Sequence, residues 1–205
     1  MAYIGYIAIF ILAYSIGSIN SSIAIGKLWK KEDIRKLGSG NAGATNTLRN
    51  FGIGPTVLVV VGDALKGVAA IFIGRMLAGN EVGAMLGGLG TVIGHNWPIF
   101  FQFKGGKGIL TSAAVILTIR PDIGAIVVII SIIIIVITRY VSLGSLVGSV
   151  IFPVIVVIMD FENIGLLVFS IILGLLAVYR HRGNIKRLRE GTESKIGSKK
   201  CGGEP

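Results

Sequence analysis

The chain has 205 residues, of which 53% are hydrophobic and only 15% are charged. A water-soluble domain carries roughly 25% charged residues, so this composition excludes a soluble globular protein. The net charge of +10 would suggest nucleic-acid binding in a soluble protein, but here the basic residues are confined to a few loops between apolar runs. Membrane topology is therefore the first explanation to test.

Seven apolar stretches, taken in chain order, are candidates for membrane-spanning helices, each of which needs about 20 mostly apolar residues. The run from Gly124 to Thr138 is the clearest. The stretch between Lys107 and Arg120 is the weakest because it is short, and it spans only if the bilayer thins locally or the helix starts inside the preceding loop. The seven candidates cover residues 3–25, 53–74, 82–101, 108–119, 122–138, 141–159 and 163–179.

The positions of Lys and Arg predict which ends of these spans face the cytoplasm, since cytoplasmic loops hold an excess of both. With the N-terminus outside, the inner segments hold 17 of the 20 Lys and Arg residues and the outer segments hold two. The remaining one, Lys66, lies within a predicted span. We therefore predict an all-α integral membrane protein with seven transmembrane helices, an outside N-terminus and a cytoplasmic C-terminus. Residues 1–196 are predicted to form a single membrane-embedded domain, followed by a polar tail over 197–205 that is a candidate for disorder.

The first of three polar segments at the predicted cytoplasmic face covers residues 38–49 and reads GSGNAGATNTLR. Its glycines permit positive φ, and successive N–H groups can then line a site for an anion. The match to the dinucleotide fingerprint G-x-G-x-x-G is rejected, because no strand precedes it and no βαβ unit surrounds it. A flexible juxtamembrane turn is the alternative, although the segment has more hydrogen-bonding side chains than a turn requires: Ser39, Asn41, Thr45, Asn46 and Arg49.

The second polar segment covers residues 94–108 and reads GHNWPIFFQFKGGKG. It places His95 before an aromatic stretch suited to the membrane interface, followed by two lysines among glycines, which resembles a phosphate cradle. It is not a Walker A sequence, because Lys107 is followed by Gly108 and not by Ser or Thr. The lysines alone are equally explained by the positive-inside rule, and a His at a membrane edge is often only an interfacial hydrogen-bonding residue.

The third polar segment covers residues 179–195 and reads YRHRGNIKRLREGTESK. Much of its positive charge is explained by a cytoplasmic anchor that touches anionic lipid. His181, Arg182 and Asn184 differ, because they lie at the membrane boundary within reach of the other two polar segments.

One acidic and one basic residue lie within the second predicted span, in the sequence GDALKG. Asp63 and Lys66 are three residues apart and therefore share one helix face. Intramembrane charges are expensive and are by default functional, but a mutually neutralising pair facing the bundle interior can be structural. The sequence leaves both interpretations open.

Several catalytic patterns are missing from the sequence. Neither His95 nor His181 is followed five residues later by Asp, which is the arrangement of many glycerolipid acyltransferases. No H-E-x-x-H motif or other cluster of metal ligands is present, so no metal site is predicted. The single cysteine, Cys201, excludes an internal disulfide framework and, on a polar tail, is a poor candidate nucleophile.

Four segments in combination resemble the bacterial acyl-phosphate:glycerol-3-phosphate acyltransferase family, PlsY: GSGNAGATN, GDALKG, GHNWPIFFQFKGGKG and HRGNI. The resemblance implies a seven-helix inner-membrane enzyme with its active site facing the cytoplasm and with neither metal nor other cofactor. It implies transfer of a fatty acyl group from acyl phosphate to glycerol 3-phosphate, giving lysophosphatidic acid and inorganic phosphate as the first acylation step of phospholipid synthesis. The implied partners are these two substrates and membrane lipid, without nucleic acid or an obligate protein partner.

The resemblance also implies roles for individual residues. Ser39 and His95 would orient the acceptor hydroxyl and help to deprotonate it, assisted by a phosphate oxygen of the substrate. Glycerol 3-phosphate would be bound by Lys66, His181 and Asn184. Because a mixed anhydride already carries a good leaving group, we expect direct attack by the acceptor hydroxyl without an acylated Ser39. The acyl phosphate would be held by Asn41, Thr45, Arg49, Lys104, Gly105, Gly106, Lys107 and Gly108.

A transporter or channel for an anionic phosphate ester is the alternative function. Gly-rich interrupted helices and mid-span charges are typical of that class. It fits less well, because the polar groups concentrate at one face of the membrane instead of the midplane and no inverted repeat is visible.

Overall fold

A computed structural model describes residues 2–197 of the chain, and every regular element in this part is helical. Most of the predicted tail and Cys201 lie outside the described residues. Two short 3-10 turns, Ile34–Lys36 and Ile99–Phe101, lie in the loops. The helices are α1 Ala2–Gly17, α2 Ser21–Trp29, α3 Ala44–Phe51, α4 Ile53–Ala78, α5 Glu81–Asn96, α6 Ile109–Ile119, α7 Pro121–Thr138, α8 Val141–Asp160, α9 Ile164–Arg180 and α10 Arg182–Arg189.

Each of the seven predicted spans coincides with helical structure. Within residues 2–197, four segments are both long and apolar enough to cross a membrane, namely Tyr3–Trp29, α4, α7 and α8. The bent pair α9 and α10 adds a fifth if it is counted as one span, with a bend of 59° between the two helices. Helices α5 and α6 are shorter than a full span, so the structure supports four to five spans by length and composition.

The first predicted span, residues 3–25, is broken into α1 and α2. Asn20 caps α2, because its side-chain oxygen accepts a hydrogen bond from the backbone N–H of Ile23 at 3.1 Å. A capping side chain competes with continuation of the helix, so the break occurs inside an otherwise apolar run. The break leaves the carbonyl of Ile19 without a helical partner and available to a side chain from α4.

Helix α5 lies among α1, α4, α6 and α9 and packs most closely against α1 and α4. Small residues allow this close approach, as is common between helices in membranes. A Cβ on Gly94 would lie 2.2 Å from the carbonyl oxygen of Tyr14 in α1, and a Cβ on Gly87 would lie 2.3 Å from that of Ala70 in α4. Larger residues at these two positions would therefore push α5 away from its neighbours.

The outward faces of the helices carry large apolar side chains, including Ile137 and Ile158, which are 74% and 76% exposed. Such a surface is suited to lipid and would be unstable in water. The principal apolar core lies between α4, α5, α6, α7, α8 and α9, with Phe152 and Ile123 fully enclosed. At one end of this bundle the three polar segments come together.

Candidate active site

A cavity of about 1630 Å³, which we call the main cavity, lies where the three polar segments meet. It continues between α6, α7 and α8 into an apolar region that includes Ile116, Val128 and Ile132. Polar groups therefore line one end of the main cavity and aliphatic groups line the other. The predicted site residues among its walls are Ser39, Asn41, Thr45, Arg49, His95, Lys107, Gly108, His181 and Asn184.

The first polar segment is held in place by Asn46, which is buried at the start of α3. Its side-chain oxygen accepts a hydrogen bond from the backbone N–H of Ser39 at 3.1 Å, and its amide donates to the carbonyls of Ile34 and Leu37. Gly38 on the N-terminal side of Ser39 has a φ of +54°, a left-handed conformation that glycine adopts at little cost. Ser39 is thus presented at the cavity wall by a fixed backbone.

The two charges within α4 form an ion pair beside His95. Nζ of Lys66 lies 2.7 Å from Oδ1 of Asp63, and the hydroxyl of Ser21 donates to the same oxygen at 2.9 Å. The ammonium also donates to the carbonyl of Ile19 at 3.2 Å and contacts Nδ1 of His95 at 2.9 Å. These three contacts account for all three hydrogens of the ammonium. The break between α1 and α2 supplies two members of this network.

The contact with Lys66 determines which ring nitrogen of His95 carries its proton. An ammonium group only donates hydrogen bonds, so Nδ1 of His95 is the acceptor and Nε2 of the neutral ring bears the hydrogen. The alternative partner of Nδ1, Oδ1 of Asp63, is farther away at 3.5 Å. His95 therefore presents an N–H donor from Nε2.

The loop of residues 104–108 packs directly onto His95. The N–H of Gly106 donates to the carbonyl of His95 at 3.1 Å, and a Cβ on Gly106 would lie 2.1 Å from Nε2 of the imidazole. The loop ends at Gly108, which has a φ of +73° and precedes the first turn of α6. The unpaired N–H groups of that turn, at Ile109 and Leu110, belong to cavity-lining residues and favour an anion there.

Lys107 reaches across the main cavity to the third polar segment. Its Nζ donates to the side-chain oxygen of Asn184 at 2.5 Å, and the Asn184 amide donates to Glu193 at 2.6 Å. Burial lowers the pKa of Lys107 to about 8, with Glu193 opposing the shift and the guanidinium group of Arg187 adding to it. Lys107 is therefore mostly cationic at neutral pH and becomes neutral in mildly alkaline solution.

Glu193 joins the segment that follows α10 to the cavity wall. Burial raises the pKa of its carboxyl, but hydrogen bonds from Ser142, Asn184 and Arg187 outweigh burial and the net shift is downward. These bonds measure 2.7, 2.6 and 2.7 Å. Glu193 is thus an anion that fixes the Asn184 amide and so determines where Lys107 points.

His181 follows α9 and is buried in the wall of the main cavity. Its Nδ1 lies 2.8 Å from the carbonyl oxygen of Ala177, which only accepts, so Nδ1 carries the hydrogen. Burial lowers the pKa of His181 to about 4, and the nearby ammonium of Lys107 acts in the same direction. At neutral pH the His181 ring is uncharged and its Nε2 accepts a hydrogen bond. Nε2 of His95, in contrast, donates one.

Comparison with known proteins identifies the relatives of this chain. A family model described as glycerol-3-phosphate acyltransferase matches residues 7–191. The glycerol-3-phosphate acyltransferase of Thermoanaerobacter pseudethanolicus is 50% identical over 189 residues, which cover 92% of this chain and 94% of the relative. That of Shouchella clausii is 43% identical over 201 residues, covering 96% and 98%.

The chain belongs to the glycerol-3-phosphate acyltransferase family, PlsY.

Solved structures agree with this assignment. The crystal structure of PlsY (YgiH), an integral membrane glycerol 3-phosphate acyltransferase, in its glycerol 3-phosphate form has a TM-score of 0.87 at 36% identity, covering 94% of this chain and 96% of that one. Its lysophosphatidic acid form has a TM-score of 0.84 at 35% identity, covering 94% and 95%. The chain is thus a multi-pass membrane acyltransferase that acylates glycerol 3-phosphate, and the predicted family is confirmed. The alternative of a transporter or channel is not supported.

Four predicted site residues of this acyltransferase lie away from the walls of the main cavity. Lys66 is buried behind His95, with its hydrogens committed to protein partners. Gly106 packs against the imidazole of His95. Lys104 and Gly105 line a separate, smaller cavity on the other side of the loop. None of these four residues is among those that line the main cavity.

The acyltransferase site also contains Arg180, which the sequence did not single out. Its guanidinium donates to the carbonyl of Gly106 at 2.6 and 3.0 Å and to that of Gly105 at 3.3 Å, and it lies 5.1 Å from the Trp97 ring centroid. Arg180 therefore clamps the glycine loop. Its position after an apolar span made it look like an ordinary cytoplasmic anchor, and no local pattern distinguishes the two roles.

Proposed function

We propose that this acyltransferase uses acyl phosphate as its donor and releases lysophosphatidic acid and inorganic phosphate. The observation that carries the proposal is the continuity of the main cavity, which joins a cationic end to an apolar one. A donor with a phosphate at its reactive end and an aliphatic chain behind it matches both ends. The apolar part follows α7 from Ile135 to Gly124, about 16 Å at 1.5 Å per residue. Each buried CH₂ of the chain would contribute about 0.8 kcal/mol.

The acyl phosphate group, in this proposal, is held by cations and by the start of α6. Arg49 and Lys107 supply the charge, with Asn41, Thr45 and Gly108 beside them. Charge-assisted contacts of this kind are roughly twice as strong as neutral ones. Gly106 acts indirectly by letting the loop pack against His95. We place Lys104 and Gly105 outside this set because they line the smaller cavity.

Glycerol 3-phosphate is proposed to bind beside Asn184 and His181, with its hydroxyl aimed at the acyl carbonyl. His181 accepts a hydrogen bond from this hydroxyl through Nε2. Ser39 and His95 orient the hydroxyl oxygen and the leaving phosphate by donating to them. Lys66 acts from behind by fixing the ring of His95 instead of touching the substrate.

The proposed reaction is direct transfer. The acceptor oxygen attacks the acyl carbon, the bond from that carbon to the phosphate oxygen breaks, and the hydroxyl proton passes to a substrate phosphate oxygen. A phosphate group has a second pKa of about 6, so it is a stronger base than a histidine whose pKa has fallen to about 4. A nucleophilic serine needs a hydrogen bond to an adjacent base. Within residues 2–197 the side chain of Ser39 makes no such bond.

The proposed setting is the bacterial inner membrane. Seven spans, with the shorter α5 and α6 supported by their neighbours, place the N-terminus outside and all three polar segments at the cytoplasmic face, which agrees with the distribution of Lys and Arg. Residues 1–196 act as one domain. The mixed anhydride is already activated, so we propose that neither a metal nor a cofactor takes part.

Purified protein in detergent tests the proposal when it is given palmitoyl phosphate and glycerol 3-phosphate. Lysophosphatidic acid and inorganic phosphate should appear one to one, with the rate unchanged by a chelator. A palmitoyl thioester should not replace the donor. Product formation only from the thioester would refute the donor assignment, and a requirement for sealed vesicles would point to transport.

A further inference from the structure

A second cavity of about 480 Å³ lies against the other side of the glycine loop. Lys104 and Gly105 line it from the loop, and Lys36 lines it from the stretch before the first polar segment. Asn41 and Arg180 line both this second cavity and the main cavity. The two cavities are therefore adjacent and share these two residues, both of which belong to the candidate active site.

The second cavity carries a clear excess of positive charge. Its carboxylate, Asp33, is neutralised by Arg35, whose Nη2 and Nε lie 2.6 and 3.0 Å from the carboxylate oxygens. Lys36, Lys104 and Arg180 remain, and within residues 2–197 none of them is paired with a carboxylate. A cleft lined by one sign of charge concentrates counter-ions from solution.

The backbone at the rim of the second cavity is strained. Gln102 and Phe103 are consecutive non-glycine residues with φ of +58° and +56°. Such conformations cost roughly 1–3 kcal/mol each and persist where surrounding contacts enforce them, commonly at ligand sites. Here the N–H of Phe103 donates to Pro98 at 2.9 Å, and Arg35 donates to the carbonyl of Phe101 at 2.7 Å. Both strained residues and the following Lys104 line the second cavity.

We propose that the second cavity is a binding site for a free phosphate-bearing anion, either inorganic phosphate or a phosphate monoester, separate from the site of chemistry. It rests on the proposed function only in that the reaction consumes one such anion and releases another. An acyl chain occupies the apolar side of the main cavity during turnover. A polar anion that enters or leaves through the second cavity would pass Asn41 and Arg180 without displacing that chain.

Phosphate-binding stoichiometry tests the second site. Radiolabelled inorganic phosphate is equilibrated with purified full-length protein in an uncharged detergent, which excludes a lipid headgroup as the ligand. The double variant Lys36→Gln/Lys104→Gln should bind one phosphate per chain fewer than the wild type, or bind that phosphate at least tenfold more weakly. The matched control Lys30→Gln/Lys31→Gln removes two exposed lysines outside the cavity and should bind as the wild type does.

A main-cavity variant separates the two sites. Arg49→Gln should keep the phosphate that the double variant loses. Loss of all phosphate binding in Arg49→Gln, or equal binding by the double variant and the wild type at matched melting temperature, would overturn the proposal. If glycerol 3-phosphate displaces the phosphate in the second cavity, this cavity is an entry site for the acceptor substrate. If the phosphate stays bound when glycerol 3-phosphate is added, the cavity is a site for the released inorganic phosphate. Binding is measured without acyl phosphate, so a failed donor assignment leaves this result interpretable.

Discussion

Replacing Lys107 by Gln should lower kcat/KM for the acyl donor by roughly 10- to 150-fold, because a hydrogen bond to a charged group contributes about 1.5–3 kcal/mol. The structure adds a pH signature to this loss. Since the pKa of Lys107 is lowered to about 8, the ammonium is cationic below that pH and neutral above it. Wild-type efficiency should be full below pH 8 and fall as the pH rises through it, about tenfold per unit at the alkaline end.

The assay is the initial rate at low donor concentration between pH 6.5 and 9.5, followed by phosphate release. Efficiency at low substrate reports the free enzyme, in which Lys107 contacts Asn184. Lys107→Gln should be slow and lack the fall near pH 8. Lys186→Gln is the matched control, since the Lys186 side chain is 77% exposed. A Lys107→Gln variant that keeps the wild-type pH profile would refute the assignment.

The remaining predictions concern the buried network, an orphan hydroxyl and the topology. Lys66→Met leaves the Asp63 carboxylate buried without its ion-pair partner and should cost roughly 3–5 kcal/mol of stability. Adding Asp63→Leu should restore the melting temperature but not kcat. Recovery of both would contradict the proposal that Lys66 fixes the ring of His95. Thr111 is fully buried with its hydroxyl unpaired, so Thr111→Val should stabilise the protein by about 1 kcal/mol in thermal unfolding, and a loss would reveal a hidden partner. In a chain without its native cysteine, Lys36→Cys and Gln102→Cys should be labelled from the same membrane face. Labelling from opposite faces would disprove a site shared by the first and second polar segments.

The apolar runs and the loop charges predict the helices well, because both are local properties of the sequence. The break at residues 18–20 is not predictable in this way. Asn20 stops the helix only because the chain gains a cap and because a side chain from α4 satisfies the exposed carbonyl of Ile19. The shared face of Asp63 and Lys66 follows from their spacing, whereas the contact of Lys66 with His95, far along the chain, depends on how α4 packs against α5.

The candidate site shows the same division. The polar segments and their cations stand out in the sequence because they lie between long apolar runs. The sequence does not reveal which side of the glycine loop each lysine faces, and the structure puts Lys107 and Lys104 in different cavities. Glu193 and Arg180 act through other residues, so neither carries a recognisable motif of its own.

The intact mass of the protein after incubation with palmitoyl phosphate alone tests direct transfer most directly. Without glycerol 3-phosphate, direct transfer predicts an unmodified protein and no burst of inorganic phosphate. The acceptor hydroxyl is the attacking group, and no basic side chain within residues 2–197 hydrogen-bonds to the Ser39 hydroxyl. Adding glycerol 3-phosphate should then start phosphate release at the steady-state rate. A stoichiometric burst of phosphate with a palmitoyl group on Ser39 would contradict direct transfer.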